Sequence, residues 1–171
     1  MRYLVTTSRR ASPRTRSFAK ELSGCLPAAE RMNRGKRSLE DIYHFALLEQ
    51  YDVVIVISER YGNPSRIVFY ELDTTSSTLK PSLTLYLKGV SLAREKNVPH
   101  KKSKVSCVVQ VGDKARDLTE RLSRTLNLPY CPPDPIYKAW ISVESFGEII
   151  AVKCLHRGGI SGPFIKVYSY E

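Results

Sequence analysis

Apolar positions along the first 90 residues change period several times, and each change marks an element. Residues 3–7 (YLVTT) are a short apolar run that predicts a strand. Ser12-Pro13 then reads as a helix start, with serine as N-cap and proline at the first helical position. Phe18, Leu22 and Cys25/Leu26 follow at helical spacing, and Gly24 sets the end near 24–26. Ser38 caps a second helix, with Glu40 and Asp41 suiting its first turn and Leu39, Ile42, Phe45 and Ala46 forming its apolar face. VVIVI (53–57) is a continuous β-branched run, the pattern of a strand covered on both faces. Tyr61-Gly62-Asn63-Pro64 is turn chemistry and residues 66–72 a partner strand, so 53–72 predicts a hairpin with a long tip. Residues 74–80 are polar and read as loop. Residues 82–88 alternate, with Leu83, Leu85 and Leu87 on one side and Thr84, Tyr86 and Lys88 on the other.

Residues 91–104 (SLAREKNVPHKKSK) are basic, contain Pro99 and read as a linker. The pattern then restarts. Residues 105–111 predict a strand and 113–126 a helix with Leu118, Leu122 and Leu126 inward; three prolines make 127–135 irregular. Residues 138–143 and 148–154 read as a hairpin around Ser145-Phe146-Gly147, and 164–170 as a closing strand. The restart has the marks of an internal repeat. Displaced by one hundred positions, Arg16, Leu22, Ser23 and Leu26 fall on Arg116, Leu122, Ser123 and Leu126. Pro81, Leu83, Leu85 and Tyr86 likewise match Pro163, Ile165, Val167 and Tyr168. Only the helix near 38–50 has no second copy. The expected fold is therefore α/β, built of two tandem similar halves, 1–90 and 105–171, joined by the basic linker 91–104, each half a small mixed β-sheet packed with helices.

Charge changes the picture more than composition does. A chain of 171 residues with 42% hydrophobic and 26% charged positions is ordinary for a globular protein. Its 27 Lys and Arg against 17 Asp and Glu are not, and most of the formal net charge of +10 lies before residue 38, where ten cations face two acids. Such a balance favours a polyanion, nucleic acid before membrane. No apolar stretch is long enough to span a bilayer, and MRYLVTTSRR lacks the apolar centre of a signal peptide, so a cytoplasmic protein with no membrane partner is expected.

The cations are gathered in two loops, each running into a helix start. In the first, Ser8, Arg9, Arg10, Arg14 and Arg16 offer hydroxyl and guanidinium donors suited to phosphate oxygens. In the second, Asn33, Arg34, Gly35, Lys36 and Arg37 repeat the arrangement, with Gly35 permitting a tight turn. The helix N-termini behind them would add backbone donors. There is no GxxxxGK[ST], so a nucleoside triphosphate site is unsupported. Lys101 and Lys102 of the linker extend the candidate RNA-binding set.

Catalysis finds little support. His44, His100 and His156 have no carboxylate or cysteine at telling spacing, and no hydrolase, metalloprotease or dinucleotide motif is present. The spacing of Cys25, Cys107, Cys131 and Cys154 argues against a zinc site made with His156, so reduced, buried thiols are expected, with no metal and no cofactor.

TTSRRASPRTRSFAKEL (6–22), Pro27 with RMNRGK (31–36), VVIVISERYGNPSRIVFYEL (53–72) and GPFIKVYSYE (162–171) together resemble the Brix-domain proteins of ribosome biogenesis, in their short, single-domain archaeal form. The match runs through nearly the whole chain, as one Brix domain over 1–171. It departs at 81–93, which lacks the GPT-type motif of longer eukaryotic members. The resemblance implies two halves akin to the anticodon-binding domain of class IIa aminoacyl-tRNA synthetases. It places Ser8, Arg9, Asn33, Arg34 and Gly35 on the family's basic motifs. It further implies a non-catalytic factor that binds ribosomal RNA precursor and assists its processing and small-subunit assembly, alongside other assembly proteins and with relatives in the small-subunit processome. A tRNA-directed accessory module of the anticodon-binding type, or a protein-interaction scaffold on pre-ribosomal particles, stays open as an alternative.

Overall fold

The first expected strand and helix form where their caps and apolar spacing put them. In a computed structural model, which describes residues 1–97, 104–132, 136–157 and 159–171, β1 is Tyr3–Thr7 and α1 is Pro13–Cys25. Ser12 Oγ accepts the Thr15 amide at 3.2 Å, closing the N-terminus of α1. Ser38 and Asp41 form a reciprocal capping box that starts α2, Leu39–Leu48. Strand β3, Val53–Arg60, is buried on both faces from Val53 to Ile57.

Several expectations need correction. The hairpin tip is short: β3 and β4 (Asn63–Asp73) are joined by Tyr61-Gly62 alone, both at positive φ; Pro64 pairs opposite Glu59, and the bulge falls at Ser65. Part of the expected loop 74–80 is strand, because β5 runs Thr78–Ser91. The linker contains a 3-10 turn, Ala93–Lys96, and Lys101 and Lys102 lie outside the described residues.

Two strands have no apolar signature of their own. β2, Ala29–Arg31, and β7, Tyr130–Cys131, are short parallel additions to β1 and to β6, Val108–Val111. A 3-10 turn at Asp113–Ala115 leads into α3, Arg116–Thr125. The chain ends in β8 (Ala139–Phe146), β9 (Ile149–His156) and β10 (Gly159–Tyr170).

Among the described residues, ten strands join one mixed sheet in the order β2-β1-β3-β4-β5-β10-β9-β8-β6-β7. The pairing scheme reads alike from both edges. β1 lies parallel between β2 and β3, and β6 lies parallel between β7 and β8. Antiparallel pairs then lead inward to β5 and β10, which meet antiparallel at the centre.

The main core lies on one face. Phe18, Leu22 and Leu26 from α1 and its C-cap, with Leu118, Leu122 and Leu126 from α3 and its C-cap, pack there with Ile55, Leu85, Ile141, Val152 and Ile165. Tyr3 Oη donates to the Leu126 carbonyl at 2.5 Å, tying the first strand to the end of α3. On the opposite face α2 covers β1 and β3 through Ile42 and Ala46 against Leu4, Val54 and Val56. A smaller cluster on that second face holds Cys107, Val109 and Cys131 beside Trp140.

Cys107 and Cys131 form a disulfide, with Cα atoms 5.9 Å apart, so the expectation of four reduced thiols is corrected. The parallel pairing of β6 with β7 is what brings the two together. Cys25 and Cys154 are free and buried, and they share a hydrogen bond beside Gly162. That contact and burial push the Cys154 thiol well above its ordinary value. Among the described residues no helix is long and apolar enough to cross a membrane, and no His, Cys, Asp and Glu cluster could hold a metal ion.

Candidate nucleic-acid interface

The two basic loops meet at the C-terminal end of β1. The Ser8 amide donates to the Ile57 carbonyl at 2.7 Å, extending the β1–β3 pairing by one residue. Arg10 then turns the chain with a φ of 55° before Ala11 is buried. The second loop is anchored by the Met32 amide on the Val5 carbonyl at 2.9 Å and by Thr6 Oγ1 on the Met32 carbonyl at 3.0 Å. Gly35, at φ 58°, closes its turn, and the Arg37 amide donates to the Arg34 carbonyl at 3.2 Å.

Arginines hold the loops to each other. The Arg37 carbonyl accepts from Arg34 Nε at 3.0 Å and from Arg9 Nε at 3.3 Å. Arg34 Nη1 reaches the Thr7 carbonyl at 3.5 Å. Burial first, then the nearby charge of Arg9, lowers the Arg34 pKa below its ordinary value, though a guanidinium stays charged in proteins.

Between the loops lies an open cleft of about 550 Å³. Its cationic lining is Arg10, Arg16, Lys20, Arg31 and Arg34, and no carboxylate lines it. Such a depression attracts a polyanion over a long range and binds it in a salt-dependent way. Ser8, Asn33 and Gly35 also line it, so six of the expected site residues converge there: Ser8, Arg10, Arg16, Asn33, Arg34 and Gly35. Arg9 and Arg37 brace its rim from the side, and Lys36 is exposed on the turn beyond it.

Arg14 turns elsewhere. It binds Glu95, Asn63 and the Val90 carbonyl and does not line the cleft. Sequence reasoning also missed three contributors. Lys20 and Ser17 share a flank of α1 with Arg16, and the i, i+4 spacing of Arg16 and Lys20 was a usable signal. Arg31 lies on β2, whose three residues carry no periodic signature.

The helix ends do not serve as expected. The Thr15 amide of α1 is taken by Ser12, and the N-terminus of α2 is occupied by the Asp41 carboxylate, which accepts from the Ser38 amide at 2.7 Å. Hydrogen bonds from Ser38 hold the Asp41 pKa below the usual carboxylate range. The cleft's positive character therefore comes from side chains along α1, β2 and the second loop. Behind it, Glu59 accepts the Ser12 amide at 2.8 Å and fixes the first loop. Burial pushes the Glu59 pKa up, but hydrogen bonds from Thr15 and Ser12 and the charge of Arg16 outweigh it, leaving the value lowered.

The chain matches no protein-family model. It is 42% identical over 94 residues to a probable Brix domain-containing ribosomal biogenesis protein of Aeropyrum pernix, an overlap of 54% of this chain and 51% of the relative. It is 48% identical over 68 residues to a protein of the same description from Methanothermobacter thermautotrophicus, covering 40% and 41% of the two chains. The chain thus spans about half the length, or less, of these curated relatives. Solved structures extend the likeness over the whole fold. The crystal structure of a probable ribosomal biogenesis protein from Aeropyrum pernix K1 superposes with a TM-score of 0.83 at 31% identity, covering 97% of this chain and 94% of that one. Mil, an archaeal Imp4-like protein, superposes with a TM-score of 0.70 at 26% identity over 98% of each chain. Alike in sequence to the first relative and superposable at 31% identity over 97% of its length, the chain belongs to the archaeal Brix-domain ribosomal biogenesis proteins.

Proposed function

We propose that this chain is a cytoplasmic, non-catalytic factor of ribosome biogenesis that binds ribosomal RNA precursor through the cleft between its two basic loops, and so assists processing and small-subunit assembly beside other assembly proteins. One observation carries the reading: five cationic side chains from α1, β2 and both loops line one open depression without a carboxylate. Arg10, Arg16 and Arg34 offer planar forks that pair with phosphate oxygens, while Lys20 and Arg31 extend the track along the α1 flank. Ser8 and Asn33 add neutral donors, and Gly35 lets a nucleic-acid backbone approach the turn closely. Lys36, exposed on the turn beyond the cleft, lengthens the footprint. The names of the relatives describe biogenesis proteins rather than enzymes, which supports a role without catalysis.

The strand pairing that reads alike from both edges supports a domain of two tandem halves, 1–90 and 105–171, each of the anticodon-binding type. In that reading only the first half keeps the basic loops.

The test is binding of a pre-rRNA transcript and of a tRNA to the full chain, followed by fluorescence anisotropy across a salt series. Tight, salt-dependent binding of the transcript is expected. The Arg10→Gln/Arg34→Gln double variant should lower its affinity by about tenfold or more and flatten the salt slope by about 2. Unchanged binding in that variant would remove the cleft from the mechanism, and preference for tRNA would redirect the assignment.

A further inference from the structure

The sheet face that α2 covers in the first half carries a different surface in the second. Seven residues, 132–138, separate β7 from β8, too few for a helix of α2's ten residues. On this face cross-strand register lines up two rows. Ser142, Lys153 and Phe164 form one, and Glu144, Ala151 and Lys166 the other, on β8, β9 and β10 in turn.

Three ammonium groups gather on one ring. Lys96, from the turn after β5, holds Nζ 4.0 Å from the Phe164 centroid. Lys153 lies 5.2 Å and Lys166 6.0 Å from the same centroid. Lys153 is also 5.3 Å from the ring of Phe146, which is 57% exposed. The Glu144 carboxylate beside them is already engaged, since it accepts from Lys153 Nζ at 2.5 Å and from Ser142 Oγ at 2.8 Å. Lys153 and Glu144 are largely buried, with 16% and 18% of their side chains exposed. Lys96 and Lys166 are exposed, and neither forms an ion pair among the described residues. Burial, then the charges of Lys153 and Lys166, lowers the Lys96 pKa. Two uncompensated cations are therefore packed around a half-buried ring, next to a second, open one.

We propose that this face is a second RNA-binding surface that takes a single-stranded segment, with phosphates between Lys96 and Lys166 and bases stacked on Phe164 and Phe146. The assignment rests on the reading of this chain as an RNA-binding protein, but it uses none of the first half's residues. The chemistry favours a single strand. A duplex presents only phosphates and would leave both rings unused, whereas an unpaired base replaces the Lys96 ammonium on Phe164 and frees it for the adjacent phosphate. The exchange trades a cation–π contact and like-charge crowding for stacking and a charge-assisted hydrogen bond. An acidic peptide would satisfy the lysines but not the rings.

The experiment uses the full chain with an unstructured RNA oligonucleotide of about a dozen nucleotides, a duplex RNA of equal length and a polyglutamate peptide, read by anisotropy across a salt series. The variants are Lys96→Gln/Lys166→Gln and Phe164→Leu, which keeps apolar bulk while removing the aromatic ring; thermal melts establish that each is folded. The lysine pair should weaken single-strand binding by about tenfold and reduce the salt slope by about 1.4. Phe164→Leu should weaken it by about fivefold with the slope unchanged, and leave duplex binding alone. Single-strand affinities within about twofold of the parent in both variants would overturn the proposal, as would equal losses for duplex and single strand. Polyglutamate binding as tight as the RNA, and lost in the same variants, would overturn it in favour of a protein-docking face. Arg10→Gln/Arg34→Gln separates the two sites. If it alone abolishes binding, the second surface fails and the first stands; if it has no effect while these variants do, the converse holds.

Discussion

Arg14 grips Glu95 through two parallel hydrogen bonds, Nε to Oε1 at 3.0 Å and Nη2 to Oε2 at 2.9 Å. The same guanidinium reaches Asn63 Oδ1 at 2.5 Å and the Val90 carbonyl at 2.8 Å. One arginine of the first basic run thus ties the start of α1 to the β3–β4 hairpin, the end of β5 and the turn that follows. It leaves its neighbours Arg10 and Arg16 to face the cleft. Position within a charged run does not decide which cations are available to a ligand.

Glu95→Gln should lower stability by about 1 kcal/mol, a modest loss because the paired side chains are 34% and 36% exposed. A drop of roughly 2–4 °C in melting temperature would register it. The hydrogen bonds from Arg14 hold the Glu95 pKa below its ordinary value. Its contribution is therefore complete above the unfolded-state pKa, about 4.3, and is lost as pH falls through the lower folded-state pKa. Melting curves from neutral pH into this acid window should show the parent converging on Glu95→Gln.

Arg16→Gln/Lys20→Gln should leave the circular dichroism spectrum unchanged and lower the melting temperature by about 2 °C, since both side chains are exposed on the α1 flank but Arg16 also donates to the Ala11 carbonyl at 2.9 Å. It should reduce affinity for a structured pre-rRNA transcript and flatten the salt slope by about 1.8, one phosphate contact per removed charge. The slope is the decisive readout, because a general loss of folded protein would lower binding without changing it.

Reducing the Cys107–Cys131 disulfide, which joins residues 24 positions apart, should cost about 3 kcal/mol through the regained freedom of the unfolded chain. Chemical denaturation with and without reductant measures it. A Cys107→Ser/Cys131→Ser variant should show no response to reductant. Thiol titration of the denatured, unreduced parent should find two free cysteines, Cys25 and Cys154.

Gly162→Ala should destabilise the fold by about 1–3 kcal/mol. A Cβ built there would strike Cys25 Sγ and come within 3.1 Å of Cys154 Cβ. Removing the obstructing sulfur should recover part of the loss, so Cys25→Ala/Gly162→Ala would be less destabilised than the sum of the single variants. A double-mutant cycle in urea tests that coupling.

Local chemistry made much of the fold legible. Ser12-Pro13 and Ser38 start their helices through side-chain caps that reach only three residues. Leu83, Leu85 and Leu87 reveal their buried face by alternation alone. β2 and β7 escaped because a strand of three or two residues, hydrogen-bonded to a parallel neighbour, has no period to read. The expected long tip fails because Asn63-Pro64 after Gly62 looks like more turn, whereas Pro64 pairs opposite Glu59 and the bulge falls at Ser65. The basic loops were visible as charge, but their convergence needed β1, β2 and α1 to be set side by side.

Residue order by itself determined the capped helices, the alternating strands and the concentration of cations before residue 38, because each depends on neighbours within a few positions. Only the tertiary structure decided which cations are claimed by a carboxylate and which are not. Arg14 is claimed by a carboxylate 81 residues away, and Lys153 by one on the adjacent strand. Arg10, Arg16, Lys20, Arg31 and Arg34 line a cleft without a carboxylate, and among the described residues none of the five forms an ion pair. Likewise, the parallel pairing of β6 with β7, rather than spacing in the sequence, brings Cys107 and Cys131 into a disulfide, while Cys25 and Cys154 are free thiols in the core.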